Sequence, residues 1–216
     1  MYRTWQAGLG PEVEVCAVQL PGRESRLNEE PLSSFPLVVE RLAEVLEARL
    51  DRPLAFFGHS MGARIGFELA RTLRARHAVE LEMLLVSGCA APHLVPRTQR
   101  VHKLPDRELL QEIADMGGTP PEILANDDLM ALYLPSLRAD FTVDEVYTFV
   151  PGEPLSCPIH AFGGLQDQTV NLFELEAWRR HSSVGLELHM LAGGHFFLSE
   201  HELDLLALVR GALGLR

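Results

Sequence analysis

Apolar residues recur along the chain in two rhythms. Short apolar runs bounded by Gly, Pro or polar residues predict strands at Val13–Val18, Leu54–Phe57, Leu81–Val86, Pro158–Phe162 and Leu186–Leu191. Between them the spacing lengthens to three or four. Phe35, Val38, Val39, Leu42, Val45 and Leu46 mark one helix. Ile65, Leu69 and Leu73 mark a second, with Arg64, Glu68 and Arg71 on another face. Leu205, Leu206, Val209 and Leu213 mark a third, and Ser199 with Glu202 forms a capping-box pattern ahead of it. Strands alternating with helices predict an α/β fold built on a mostly parallel, doubly wound sheet.

One connection breaks the alternation. About seventy residues separate the strand ending near Ser87 from the one starting near Pro158, far more than α/β connections need. Leu109, Leu110 and Ile113 share a helix face there, Gly117-Gly118 ends it, and Leu129–Leu137 is apolar again. Residues 95–150 therefore read as a helical lid inserted into a single domain spanning 1–216. With 216 residues and 47% hydrophobic content, the chain can bury one substantial core.

Composition narrows the context. Cys16, Cys89 and Cys157 are odd in number and form no CxxC pair; Cys16 and Cys157 sit in apolar strand patterns and read as small buried hydrophobes. That usage implies a reducing, cytoplasmic setting. The first residues lack the apolar centre of a signal peptide, and no run approaches membrane-spanning length, so no membrane partner is expected. A formal charge of −11 argues against nucleic acid. The densest basic patch is Arg97, Arg100, His102, Lys103 and Arg107.

Candidate chemistry begins at Gly58-His59-Ser60-Met61-Gly62, where a strand pattern runs into a helix pattern. GxSxG in that context is a nucleophile elbow, a strained turn that lifts the serine hydroxyl clear of the sheet. Glycines on both sides are expected wherever a Cβ would meet the neighbouring strand and helix. A serine nucleophile needs a base and a group to orient it, which follow in the order Ser, Asp or Glu, His. Asp167 lies in the turn after the fourth strand pattern, and His195 lies between Gly193-Gly194 and Phe196 after the fifth. Both fall on the rim where open α/β sheets place their sites. Of the nine histidines, His77, His93, His102, His181 and His201 lie in polar or helical stretches and read as solvated; His160 and His189 lie inside strands and read as structural.

The elbow, the segment from Gln19 to Arg26 (QLPGRESR) and Gly193–Leu198 (GGHFFL) together resemble type II thioesterases of polyketide synthase and non-ribosomal peptide synthetase systems. His102–Pro105, Met116–Pro120 and Leu134–Asp140 agree with the same family. The resemblance implies an α/β-hydrolase with a lid, and hydrolysis of acyl, aminoacyl or peptidyl thioesters from phosphopantetheine arms of carrier proteins. Ser60 would form an acyl-enzyme, the Met61 N–H would bind the oxyanion, and no cofactor or metal is implied. Met116, Met130, Leu132, Leu134 and Phe141 would line the acyl channel.

In one respect the chain departs from the family. An apolar strand and a His-Ala-Gly-Gly loop, which would supply the second oxyanion donor, do not precede Tyr2. The expectation is that the natural start lies upstream of Met1. Two other readings share the elbow: a general carboxylesterase or lipase for small esters, and a catalytically impaired carrier-protein-binding homologue.

Overall fold

The computed structural model describes residues 2–94 and 100–215. Four strands, β1 (Ala55–His59), β2 (Met83–Ser87), β3 (Ile159–Gly164) and β4 (Leu186–Leu191), form one parallel sheet in that order. Gly58 pairs with Val86, Val86 with Ala161, and Ala161 with Leu188, so every strand ends on the same rim. β2 and β3 are buried throughout, because layers cover both faces.

The alternation of side chains assigns those layers. Leu84, Val86, Ile159 and Ala161 point to one face, where they meet Phe67 and Ala70 of α3 (Met61–His77) and the side chain of Trp178. Met83, Leu85, Phe162 and Leu191 point to the other. There Trp5 of α1 (Trp5–Leu9) packs with Leu205, Leu206 and Val209 of the C-terminal helix, residues 202–212. A further helix, α2 (Phe35–Leu46), packs Val38, Val39 and Ala43 against Ile65, Leu69 and Leu73 of α3. Trp178 is fully buried and donates its indole N–H to the Cys89 carbonyl at 2.7 Å. Trp178→Ala is expected to destabilise the fold by about 3–5 kcal/mol, read as a lower urea midpoint.

The long connection is helical, with α4 (Asp106–Met116), α5 (Pro121–Leu124) and α6 (Asp127–Glu145). Val101, Leu109 and Ile113 form its own small core, joined by Leu124, Leu134, Leu137 and Phe141. The motifs that carried the family resemblance tie this insertion to the body. Arg23 grips Asp140 through two bonds of 3.0 and 2.7 Å, and the Ser136 hydroxyl donates to the Gly22 carbonyl. Gly22 has φ +84, and a Cβ there would lie 2.6 Å from Ser136 Oγ, so only glycine fits. Arg138 donates to the Leu104 carbonyl at 2.8 Å and to Asp106 at 2.6 Å. Glu145 accepts the Val101 N–H at 2.7 Å and pairs with His102. His102 is thereby withdrawn from the basic patch. Arg100, Lys103 and Arg107 are exposed, and Arg97 lies outside the described residues.

Three expectations are corrected. Val13–Val18 is not a strand: a strand needs a ladder, and no described strand lies along the outer edge of β1. The segment is held instead by the Gln6 side chain, which bonds Val13 O and Val15 N at 2.9 Å each, and by Glu14 pairing with Arg49 and Arg52. Cys16 and Val18 are consequently exposed, Val18 at 62%. The Ser199–Glu202 capping box does not form, because a short helix, α8 (Phe197–Glu200), runs through Ser199. The chain then breaks at His201 before α9 (Glu202–Ala212). A complete capping box appears elsewhere, between Asn171 and Glu174 at the start of α7 (Leu172–Glu176). His181, expected in solvent, is buried and bonded to His93 at 2.7 Å. Among the described residues, no helix is long and apolar enough to cross a membrane.

Candidate active site

Ser60 sits between the last residue of β1 and the first of α3, with φ 53° and ψ −122°. A non-glycine residue there stores roughly 1–3 kcal/mol of strain. The turn is held by the Ser60 N–H donating to the Ser87 carbonyl at 2.8 Å and the Ala63 N–H donating to the Ser60 carbonyl at 2.9 Å. Gly58 is required because a Cβ would lie 2.2 Å from the Gly62 carbonyl oxygen. Gly62 is different. Nothing lies within 4 Å of its would-be Cβ, so the collision expected on that side of the elbow is absent.

Asp167 and His195 are brought together by backbone contact between the ends of β3 and β4. A Cβ on Gly164 would lie 2.3 Å from the Gly194 carbonyl oxygen and 2.6 Å from that of Gly193, so only glycine at 164 allows the approach. The Leu165 N–H then donates to the Leu191 carbonyl at 2.8 Å and the Gln166 N–H to the Gly193 carbonyl at 2.9 Å. His195 Nδ1 lies 2.9 Å from Asp167 Oδ2. The other oxygen, Oδ1, accepts the Thr169 N–H and hydroxyl, each at 2.7 Å. An ionised carboxylate only accepts, so Nδ1 carries the proton and Nε2 is the basic nitrogen. Thr169 Oγ1 is also 2.8 Å from Nδ1 and supports the same ring orientation. Burial pushes the Asp167 carboxyl up, but the bonds from His195 and Thr169 outweigh it, and its pKa falls below the ordinary value.

A third imidazole adjoins this pair. The His59 ring is 4.8 Å from that of His195, and its Nδ1 lies 2.9 Å from Ser87 Oγ. Burial first, then the charge of His195, lowers its pKa to about 3, so it stays neutral at physiological pH. Its Nε2 is buried without a partner among the described residues. Gly88, at φ +57, makes room for this ring, because a Cβ there would lie 2.7 Å from His59 Cε1. Neither Thr169 nor His59 was singled out from the sequence. The Asp-x-Thr spacing, which favours a side-chain turn, is the signal that could have found Thr169.

No hydrogen bond joins Ser60 to His195 among the described residues. In unliganded enzymes this contact is often long and tightens on substrate binding. Met61 is the first residue of the 17-residue α3, so its N–H is one of the helix's unpaired donors at the positive end of the dipole. Of the expected channel residues, Leu134 and Phe141 pack inside the helical insertion, Met130 is buried, Met116 is half-buried, and Leu132 is 47% exposed.

One group of possible metal ligands gathers among the described residues: His160, Glu187 and His189. It lies away from the serine, toward the start of β3 and β4. The two imidazoles are 7° from parallel with centroids 5.3 Å apart, and the nitrogens face each other at 3.0 Å. That is the in-line geometry of an N–H···N hydrogen bond. Glu187 stands 3.6 and 3.9 Å from the two nitrogens. One nitrogen donates its hydrogen to the lone pair of the other, and the bond links β3 to β4.

Comparison with known proteins gives the family. A thioesterase domain profile matches residues 1–211. Linear gramicidin dehydrogenase LgrE of Brevibacillus parabrevis is 43% identical over 216 residues, covering 99% of this chain and 82% of that protein. Thioesterase PikA5 of Streptomyces venezuelae is also 43% identical, over 94% of this chain and 75% of its own length. The solved structure of BorB, a type II thioesterase from the borrelidin biosynthetic cluster, superposes with a TM-score of 0.90 at 40% identity, covering 98% and 86% of the two chains. The chain is a member of the thioesterase domain family, with an α/β-hydrolase fold.

Proposed function

We propose that the chain hydrolyses acyl, aminoacyl or peptidyl thioesters carried on phosphopantetheine arms of carrier proteins, through an acyl-enzyme at Ser60. The observation that carries this reading is a strained serine at a strand-to-helix turn, on the rim where Asp167 fixes His195 with Nε2 basic. His195 takes the Ser60 proton as Oγ attacks the thioester carbonyl. The Met61 N–H stabilises the developing oxyanion, and the proton passes to the leaving thiolate. Water, deprotonated by His195, then cleaves the acyl-enzyme, releasing the acid and restoring Ser60.

The carrier as partner rests on the relatives, since BorB belongs to a biosynthetic cluster and PikA5 is named a thioesterase. The reading places the chain in the cytosol beside a synthase, clearing stalled or misprimed arms. The dehydrogenase in the name of LgrE does not transfer to this chain, whose sequence contains no GxGxxG fingerprint.

Two measurements test the proposal. Acid release from acyl-loaded carrier protein is expected to exceed, at equal concentration, hydrolysis of the matching p-nitrophenyl ester. A marked preference for the free ester would make the chain a general esterase. Carrier binding without hydrolysis, unchanged by Ser60→Ala, would make it a binding homologue.

A further inference from the structure

The lid touches the catalytic rim at a point the mechanism does not use. Gly117 and Gly118 form the turn that ends α4, at φ +76 and +83. A Cβ on Gly118 would lie 2.5, 2.6 and 2.7 Å from Cδ2, Cγ and Cε2 of Phe196, so the turn lies flat on that ring. The same ring is T-shaped against His195, with centroids 5.2 Å apart and planes at 84°, and is 5.5 Å from His59. Phe196 thus touches both the helical insertion and the imidazole assigned to proton transfer. It is half-buried although its neighbours Phe197 and Leu198 are buried, so one side remains available to a ligand.

We propose that Phe196, with the Gly118 backbone resting on it, sets the size of acyl group that reaches Ser60. The inference rests on the reading of Ser60 as nucleophile and adds the element that selects the substrate. A short acyl group passes beside the ring. A long or branched one needs the space that ring and turn occupy, and enters only when the turn lifts. The turn has no side chain to anchor it: Gly118 contacts the ring through bare backbone, and nothing lies within 4 Å of a Cβ on Gly117.

That difference between adjacent glycines supplies the control. Both have positive φ, so alanine at either strains the backbone. Only at Gly118 does the added methyl also collide with Phe196. The experiment measures labelling rates of the whole chain by two fluorophosphonates, one with a methyl and one with a long alkyl substituent, read by intact mass. Phe196→Ala and Gly118→Ala are expected to raise the ratio of long-probe to short-probe rate about tenfold or more, whereas Gly117→Ala leaves it at the wild-type value and Phe196→Leu falls between. An unchanged ratio in both Phe196→Ala and Gly118→Ala would overturn the proposal. So would an equal rise in Gly117→Ala, which would assign the effect to lid strain. Failure of the wild type to label with either probe is a separate outcome: it removes the Ser60 reading and the size filter built on it.

Discussion

Replacing Ser60 by alanine is expected to lower thioester turnover on the order of 10⁶-fold and to abolish fluorophosphonate labelling, with no loss of stability. The size follows from the mechanism. Without Oγ no acyl-enzyme forms, and only binding and the oxyanion donor remain to assist direct attack by water. Stability is spared because the hydroxyl makes no hydrogen bond among the described residues, and alanine accepts the same half-buried space. The backbone supplies a second readout. At φ 53° and ψ −122° both serine and alanine are strained, whereas glycine is not. Ser60→Gly is therefore expected to be equally inactive but to melt higher than Ser60→Ala. Equal melting temperatures would show that the elbow stores no strain. Retained labelling in Ser60→Ala would place the nucleophile elsewhere.

The legible parts of the sequence are those in which local pattern and global burial ask for the same residues. β2 and β3 were readable because strands covered on both faces appear as continuous apolar runs, and β4, at the sheet edge, because Leu186, Leu188 and Met190 alternate with polar Glu187 and His189. The same argument failed at Val13–Val18. That run is apolar in spacing, but Glu14 in its middle pairs with Arg49 and Arg52 on the surface, and no ladder receives it. A run of this kind states only that a strand is possible; partner strands decide whether it forms. Capping patterns behaved similarly. Ser199 and Glu202 had the right spacing, yet packing of Phe197 and Leu198 into the core started a helix two residues before the serine.

The candidate site was read through Ser60, Asp167 and His195 because each stands just past an apolar run, beside glycines. The close approach of Gly164 to the Gly194 carbonyl and the positive φ of Gly193 show what two of those glycines do. Thr169 left a local signal in its spacing from Asp167, but His59 and the contact of Gly118 with Phe196 were out of reach for a physical reason. Each of those matters through a residue distant in sequence: His59 through Ser87 and His195, Gly118 through Phe196. Periodicity reports only which face a residue occupies. The resemblance motifs lie between these extremes. The Gln19–Arg26 and Leu134–Asp140 segments identified the family without revealing a role, and the structure shows them bonded to each other, tying the helical insertion to the body.

Asp167→Asn is expected to lower turnover by about 10⁴-fold while leaving the fold and the affinity for carrier protein intact. Asp167 offers two acceptor oxygens and both are used, Oδ2 by His195 Nδ1 and Oδ1 by the N–H and hydroxyl of Thr169. An asparagine keeps one acceptor. If that oxygen stays with the Thr169 N–H, the amide nitrogen faces Nδ1, the imidazole proton moves to Nε2, and the base is blocked toward Ser60. Thr169→Val tests the same network more gently. It leaves the carboxylate to fix the tautomer and is expected to cost far less. It also removes one of the bonds that lower the Asp167 pKa, which should rise toward the ordinary range. The sign of the pH effect follows. A carboxyl whose folded pKa lies below its unfolded value stabilises the fold above the unfolded value of about 3.9, and that contribution is lost as pH falls through the folded pKa. Asp167→Asn should therefore be less sensitive to acid than the wild type in thermal melts taken from neutral pH downward. If Asp167→Asn kept near-normal turnover, His195 would not depend on Asp167 for its tautomer, and the hydrogen bond between them would be structural only.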